Sequence, residues 1–256
     1  MGSEIDVRHD DGVLVVSIDR PAKKNALTAA MYADLAQAIA SGQADPRVKV
    51  LLLRGEGGNF TSGNDIGLFL NQATPEPMAS PATPFIQAVV ALDKPLVACV
   101  QGHAVGIGAT VLLHCDCVVA SDDARIRFPF VDLGLCPEFA STLVLQQRVG
   151  LAKASEWLLL GAPIPASEAL LAGLVNRVVP HDVVEDEARS IARTLASKPQ
   201  QALRATRALI RHGAAADQLQ RIAHEGEVFA SLRHAPEAQA IFRNFLARSA
   251  RAPGQP

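Results

Sequence analysis

The segment VDLGLCPEFAST, residues 131–142, is apolar or small almost throughout, yet it carries Glu138 between a proline and a phenylalanine. With Leu133, Leu135, Cys136 and Phe139 for neighbours, a buried carboxyl would have its charged form disfavoured. Its pKa would rise toward the range in which one group both takes and returns a proton. The plainer alternative is a helix opened by Pro137-Glu138, its carboxylate serving the macrodipole from a solvated first turn. Two glycine-dense stretches offer the complementary chemistry, main-chain N–H groups that hold an oxyanion. In GEGGNFTSGNDIGLF (55–69) glycine permits positive φ and close approach of a ligand, while neither a G-x-x-x-x-G-K-[ST] phosphate loop nor a dinucleotide G-x-G-x-x-G fits. In VQGHAVGIGATVLLHCD (100–116), Gly102, Gly106 and Gly108 lead a strand into an apolar helix whose first N–H groups suit an anionic oxygen. Each stretch also has a bland reading: an ordinary connection with Asp65 as an N-cap, and close packing of a buried helix. His103 and His114 have no partner at ligand spacing and are expected as core or near-core histidines, so no metal site is expected.

Such groups need a scaffold, and the pattern supplies strands alternating with helices. VLVVSI (13–18), VKVLLLR (48–54), PLVACV (95–100), DCVVAS (116–121) and LVNRVVP (174–180) predict strands, several apolar on both faces as burial between layers requires. Behind the candidate N-cap Thr28, Met31, Leu35 and Ile39 fall at i, i+4 and i+8 of an amphipathic helix. Beyond Pro180 the sequence turns Ala-, Arg- and Glu-rich with helical spacing and no strand signal, and Pro199 marks a break between two helices. The Pro- and Ala-rich 71–84 stretch predicts a surface loop. The fold class is therefore α/β with a helical tail. The chain has 256 residues, 49% hydrophobic and only 4% aromatic, so its core must rest on Ala, Val, Leu and Ile. A net charge of −2 shows no basic excess for nucleic acid or an anionic membrane, and no apolar run approaches the roughly 20 residues that span a bilayer. The polar, acidic amino terminus and the four scattered cysteines, read as reduced core residues, predict a cytoplasmic protein.

Together these stretches, with IDRPAKKNALT (18–28), FPFVDLGLCPE (128–138) and GAPIPASEALLAGLVNRVVP (161–180), resemble the crotonase superfamily of enoyl-CoA hydratases and isomerases over almost the whole chain. The resemblance implies a crotonase-like spiral of ββα units over 1–198 and a helical carboxyl-terminal oligomerisation region over 199–256. It further implies a homotrimer or hexamer and a CoA thioester as substrate, with CoA as part of that substrate and no other cofactor. By motif match, the thioester oxygen would lie between the backbone N–H groups of Asn64 in TSGND and Ile107 in GHAVGIG. Ser62, Gly63, Asp65 and Ile66 would line the same substrate-binding loop, with Ser62 toward the adenine end. Lys23 and Lys24 are possible phosphate contacts, and 241–253 a candidate CoA contact in which Phe242 and Phe245 are expected as core or interface residues.

The departures from the family pattern point to a reaction. Hydratases of this kind use two glutamates, whose positions are Thr110 and Phe130 here. Glu138 stands where the Δ3,Δ2-enoyl-CoA isomerases of the peroxisomal type carry their single catalytic glutamate, though Phe139 replaces the glycine that commonly follows it. The resemblance thus implies a shift of a 3-enoyl-CoA double bond to the 2-position. The rival readings are a hydratase or another crotonase reaction with Glu138 working alone, and a non-catalytic scaffold that binds thioesters.

Overall fold

A computed structural model describes residues 3–70, 80–211 and 213–251. Its strands are β1 Ile5–Asp10, β2 Val13–Ile18, β3 Val50–Gly55, β4 Leu96–Val100, β5 His103–Val105, β6 Cys117–Ser121, β7 Arg125–Arg127, β8 Ile164–Pro165 and β9 Arg177–Val179. The helices are α1 Ala29–Ala44, α2 Gly67–Leu70, α3 Thr83–Ala91, α4 Ile107–Thr110, α5 Ser141–Val149, α6 Leu151–Leu160, α7 Ala166–Leu171, α8 Val184–Ala196, α9 Gln200–Ile210, α10 Ala214–Arg233 and α11 Pro236–Arg251.

The large sheet has the order β1-β2-β3-β4-β6-β9, parallel except for the β1–β2 hairpin; a small sheet, β5-β7-β8, stands beside it. Successive turns of the chain place one strand in each sheet, β4 then β5 and β6 then β7, which is the expected spiral of ββα units. Thr61 extends the small sheet by a parallel bridge to Ala104.

Strand periodicity explains why the inner strands are apolar on both faces. Val13, Val15, Val50, Leu52, Val97, Cys99 and Val119 form one face, packed against Val184, Ala188, Ala192 and Ala196, which recur every fourth residue of α8. The alternate residues, Leu14, Val16, Leu51, Leu53, Ala98, Val100 and Val118, face the larger core, where Met31, Leu35 and Ile39 of α1 are buried. The Thr28 side chain accepts from the Met31 N–H at 3.3 Å, as an N-cap should.

Several expectations need correction. IDVRHD is an edge strand, β1, whose outward side chains are charged, so it carries little apolar signal. The three strands of the small sheet are two or three residues long, too short to display a period. The strand expected over 174–180 shrinks to Arg177–Val179. Thr83 and Pro84, assigned to a loop, begin α3 with proline in its first turn, and 71–79 of that loop lie outside the described residues. His103 is exposed on β5 rather than near the core, and Cys117 and Cys136 are only half-buried.

After Pro180 the described residues are helical, with Pro199 between α8 and α9 as expected. Asp116 pins α9 to the core: its Oδ2 accepts from Arg207 Nε at 2.8 Å and its Oδ1 from Arg211 at 2.8 Å. Phe242 of α11 is fully buried, whereas Phe245 is half exposed. No helix among the described residues is long and apolar enough to cross a membrane.

Candidate active site

The two glycine-dense stretches lie against each other. Gly63 has φ +88°, and a Cβ there would come within 2.7 Å of the Val105 carbonyl oxygen; a Cβ on Gly108 would meet Thr61 Cγ2 at 2.4 Å. Glycine is needed at both positions because the loop after β3 and the turn into α4 touch backbone to backbone. Leu27 accepts from the Asp65 N–H at 2.9 Å and donates to the Gly63 carbonyl at 2.8 Å. Since alternate residues of an extended segment face opposite ways, this bridge turns the Asn64 N–H to the other side. Ile107 opens α4, whose first N–H groups have no intrahelical acceptor. Thus the packing sets both expected main-chain donors, Asn64 and Ile107, in adjoining segments.

The side chains of the first loop are largely committed. Thr61 Oγ1 donates to the Asn25 carbonyl at 2.6 Å and accepts from the Gly63 N–H at 3.1 Å. Ser62 Oγ donates to the Lys23 carbonyl at 3.3 Å. Asp65 pairs with Arg20 at 2.9 Å and accepts from the Gly67 N–H at 3.1 Å, so its side chain caps the short helix α2 as the bland reading had it. Ile66 packs on the core.

Glu138 does not open a helix. The two residues after it take left-handed backbone, Phe139 at φ +66° and Ala140 at φ +55°, and α5 starts only at Ser141. Bulky residues pay for such a conformation with strain, and three contacts hold this one in place. His114 Nε2–H donates to the Phe139 carbonyl at 2.8 Å, and its ring stacks on the Phe139 ring with centroids 4.2 Å apart. Ser141 Oγ donates to the Glu138 carbonyl at 2.6 Å. Phe139 also meets Phe85 edge-on at 6.2 Å. Its ring is therefore packed in the core, and Phe139 and Glu138 both line one cavity.

Burial pushes the Glu138 carboxyl up to about 8, against the opposing hydrogen bond from Thr110 Oγ1, which donates to Oε1 at 2.7 Å; the Glu225 carboxylate adds to the rise. Desolvation holds His114 down to about 4, so its ring is neutral at physiological pH. This matches the expectation of a satisfied core histidine.

Glu138 and Asn64 line a cavity of about 290 Å³, walled by Leu68, Phe69 and Ile86 on one side and by Ile222, Phe229 and Ala230 of α10 on the other. Ser62, Gly63, Asp65, Ile66 and Ile107 lie in the segments that flank it and are not part of its lining. Tyr32 is the residue that sequence reasoning missed. It lines the same cavity, is fully buried, and donates its hydroxyl to Asn64 Oδ1. Burial, and then the Glu138 charge, drive its pKa well above the ordinary phenol value. A clue was present: it is the single tyrosine of the chain and sits on the apolar stripe of α1, where a buried hydroxyl needs a partner.

A model of the enoyl-CoA hydratase/isomerase family matches residues 8–250. The chain is 34% identical over 258 residues to the Mus musculus protein named peroxisomal enoyl-CoA delta isomerase 3, covering 97% of this chain and 80% of that one. It is 30% identical over 230 residues to the 2,3-dehydroadipyl-CoA hydratase of Escherichia coli K12, covering 90% of each. Among solved structures, Pseudomonas aeruginosa OdaA superposes with a TM-score of 0.91 at 40% identity, covering 96% of this chain and 99% of that one.

Proposed function

Because the chain belongs to the enoyl-CoA hydratase/isomerase family, we propose that it moves the double bond of a 3-enoyl-CoA to the 2-position, with Glu138 as the only acid–base group. The observation that carries this reading is the hydrogen bond from Thr110 to Glu138 in a cavity lined by both Glu138 and Asn64. Where a hydratase of this family would bring a second carboxylate, this chain brings a hydroxyl that holds the first one, and Phe130, the other such position, is buried.

The reaction follows from the groups available. The thioester carbonyl oxygen sits between the Asn64 and Ile107 N–H groups. Glu138 as carboxylate breaks the C2–H bond, the electron pair spreads over C2, C4 and the carbonyl oxygen as a dienolate, and the same carboxyl returns its proton to C4. The double bond then lies between C2 and C3, and Glu138 is again a carboxylate. Backbone donors stabilise the oxyanion as charge develops, and one group within reach of C2 and C4 serves for both transfers. Tyr32 steadies Asn64 through its side-chain oxygen. Ser62, Gly63, Asp65 and Ile66 form the wall along which CoA lies, and CoA leaves with the product, so no resident cofactor takes part. Leu159, Leu160 and Leu171, exposed on α6 and α7, support assembly of several copies, as in a trimer.

Glu227 on α10 also lines the cavity, and this favours one second reading, in which it completes a hydratase pair. Following the absorbance of the conjugated enoyl thioester separates the two. A rise with 3-enoyl-CoA, absent in Glu138→Ala, is expected; a fall with 2-enoyl-CoA and no rise with the 3-enoyl isomer would replace the isomerase by a hydratase. Since the base must be ionised, kcat/KM should climb as pH rises toward about 8.

A further inference from the structure

Glu225, on the middle of α10, is not part of the cavity lining, although its neighbours Ala223, Gly226 and Glu227 are. It is 4% exposed and reaches across to the start of α5, where Oε1 accepts from the Thr142 N–H at 3.0 Å and from the Thr142 hydroxyl at 2.5 Å. Arg221, one turn earlier, donates to the same hydroxyl oxygen at 3.3 Å, and Cys136 Sγ approaches the Glu225 carbonyl at 3.6 Å. Hence α10 grips both ends of the 136–142 segment that carries Glu138 and its two left-handed residues. α5 has no cap of its own, because Ala140 occupies its N-cap.

A glutamine would supply the same acceptor, and a buried carboxylate is the costlier choice. Its Oε2 is buried with no hydrogen-bond partner among the described residues, and a buried acceptor left unpaired is destabilising. The charge therefore calls for a reason that the cap does not give. We infer that Glu225 is a positioning residue for Glu138, holding its strained turn from α10 and standing beside it as a fixed like charge. The inference rests on Glu138 as the acid–base group.

The Glu225 charge acts on Glu138 in the direction this requires: it raises the Glu138 pKa, although burial is the larger cause. The surrounding groups do not cancel the effect. Tyr32 on α1 and Cys136 on the same segment are held protonated by burial, and His114 behind Phe139 is neutral. Burial pushes the Glu225 carboxyl up as well, and the hydrogen bonds from Thr142, the Ala140 N–H and then the Arg221 charge oppose that rise and favour its charged form. Glu227 and Arg233 line the cavity from α10.

The test is a carboxyl ¹³C NMR titration of glutamate-labelled protein without substrate, the Glu138 signal being assigned by its loss in Glu138→Gln. In Glu225→Gln the Glu138 midpoint should fall by about one unit, and the pH limb of kcat/KM should move to lower pH by the same amount with KM little changed. Thr142→Val, which removes the shorter bond and makes Glu225 easier to protonate, should move the midpoint the same way and serves if the first variant does not fold. An unmoved midpoint in a folded variant overturns the inference even where the double-bond shift proceeds. A moved midpoint in a protein that shifts no double bond leaves it standing and overturns the proposed reaction instead.

Discussion

Two turns meet at the cavity, and they solve one geometric problem by opposite means. At 63–64 the left-handed residue is Gly63, which reaches φ +88° without penalty and presents a backbone donor. At 138–140 the left-handed residues are Phe139 and Ala140, each in a conformation that costs a side-chain-bearing residue roughly 1–2 kcal/mol, and the turn presents a side chain. The second turn is affordable because its strain is tied to packing. Burying a phenylalanine is worth about 1.5–3 kcal/mol, and the ring is stacked on His114 besides. A donor that is part of the backbone needs only room, whereas a carboxylate that must stay desolvated needs a rigid, greasy mount.

The largest expected effect tests the mounted group itself. Glu138→Gln should lower kcat/KM for the double-bond shift by about 10²–10⁴. The same variant should be more stable than the wild type in alkaline solution. A carboxyl raised to about 8 in the fold contributes stability that is present below the usual glutamate pKa and is lost as pH rises through about 8. Thermal melts at pH 5 and pH 9 check this: a gain confined to pH 9 is expected, and equal melts at both would remove the idea of a strained, desolvated base. Next, Gly63→Ala puts a methyl 2.7 Å from the Val105 carbonyl at a backbone angle alanine resists. The Asn64 donor must then move, with a loss on the order of 10²–10³ in kcat. Substrate affinity measured alongside should change far less.

How far the sequence revealed these turns follows the same division. The glycine turn was legible, since Gly63 and Gly108 announce close approach, and Gly106 a positive φ, by their type alone. So were the inner strands and α8, whose periods are carried by Val, Leu and Ala. The Glu138 turn was legible only as an odd carboxylate among apolar residues. Its left-handed backbone was hidden because Phe139 and Ala140 are not residues that mark positive φ, and the structure shows Phe139 held by His114 from outside the local sequence. Tyr32, Glu225 and the bond from Thr110 to Glu138 escaped for a related reason: each acts through a partner at least 28 positions away. The small sheet went unseen because strands of two or three residues have no period to read.

A smaller effect concerns the support beneath the second turn. With its pKa held down to about 4, His114 stabilises the fold fully above the ordinary histidine pKa, and that contribution is lost as pH falls toward 4, on the order of 3 kcal/mol in all. Denaturation midpoints of wild type and His114→Gln between pH 7 and pH 4 should converge as the pH drops. Parallel curves would mean that the ring titrates alike in the folded and unfolded chain and is not desolvated against Phe139.

The smallest effect decides between the two turns directly. Phe139→Gly gives the second turn the solution used by the first. If strain dominated, the variant would gain stability. Loss of a buried, stacked ring costs about 3–5 kcal/mol in Phe→Ala substitutions, and relief of one left-handed residue returns roughly 1–2. A net loss of about 2 kcal/mol is therefore expected by chemical denaturation. Activity should fall together with it, because the backbone can then relax toward ordinary φ and carry Glu138 away from Thr110. A stabilised or fully active Phe139→Gly would mean that the ring merely fills space and that the carboxylate is aimed by Thr110 and the α10 contacts alone.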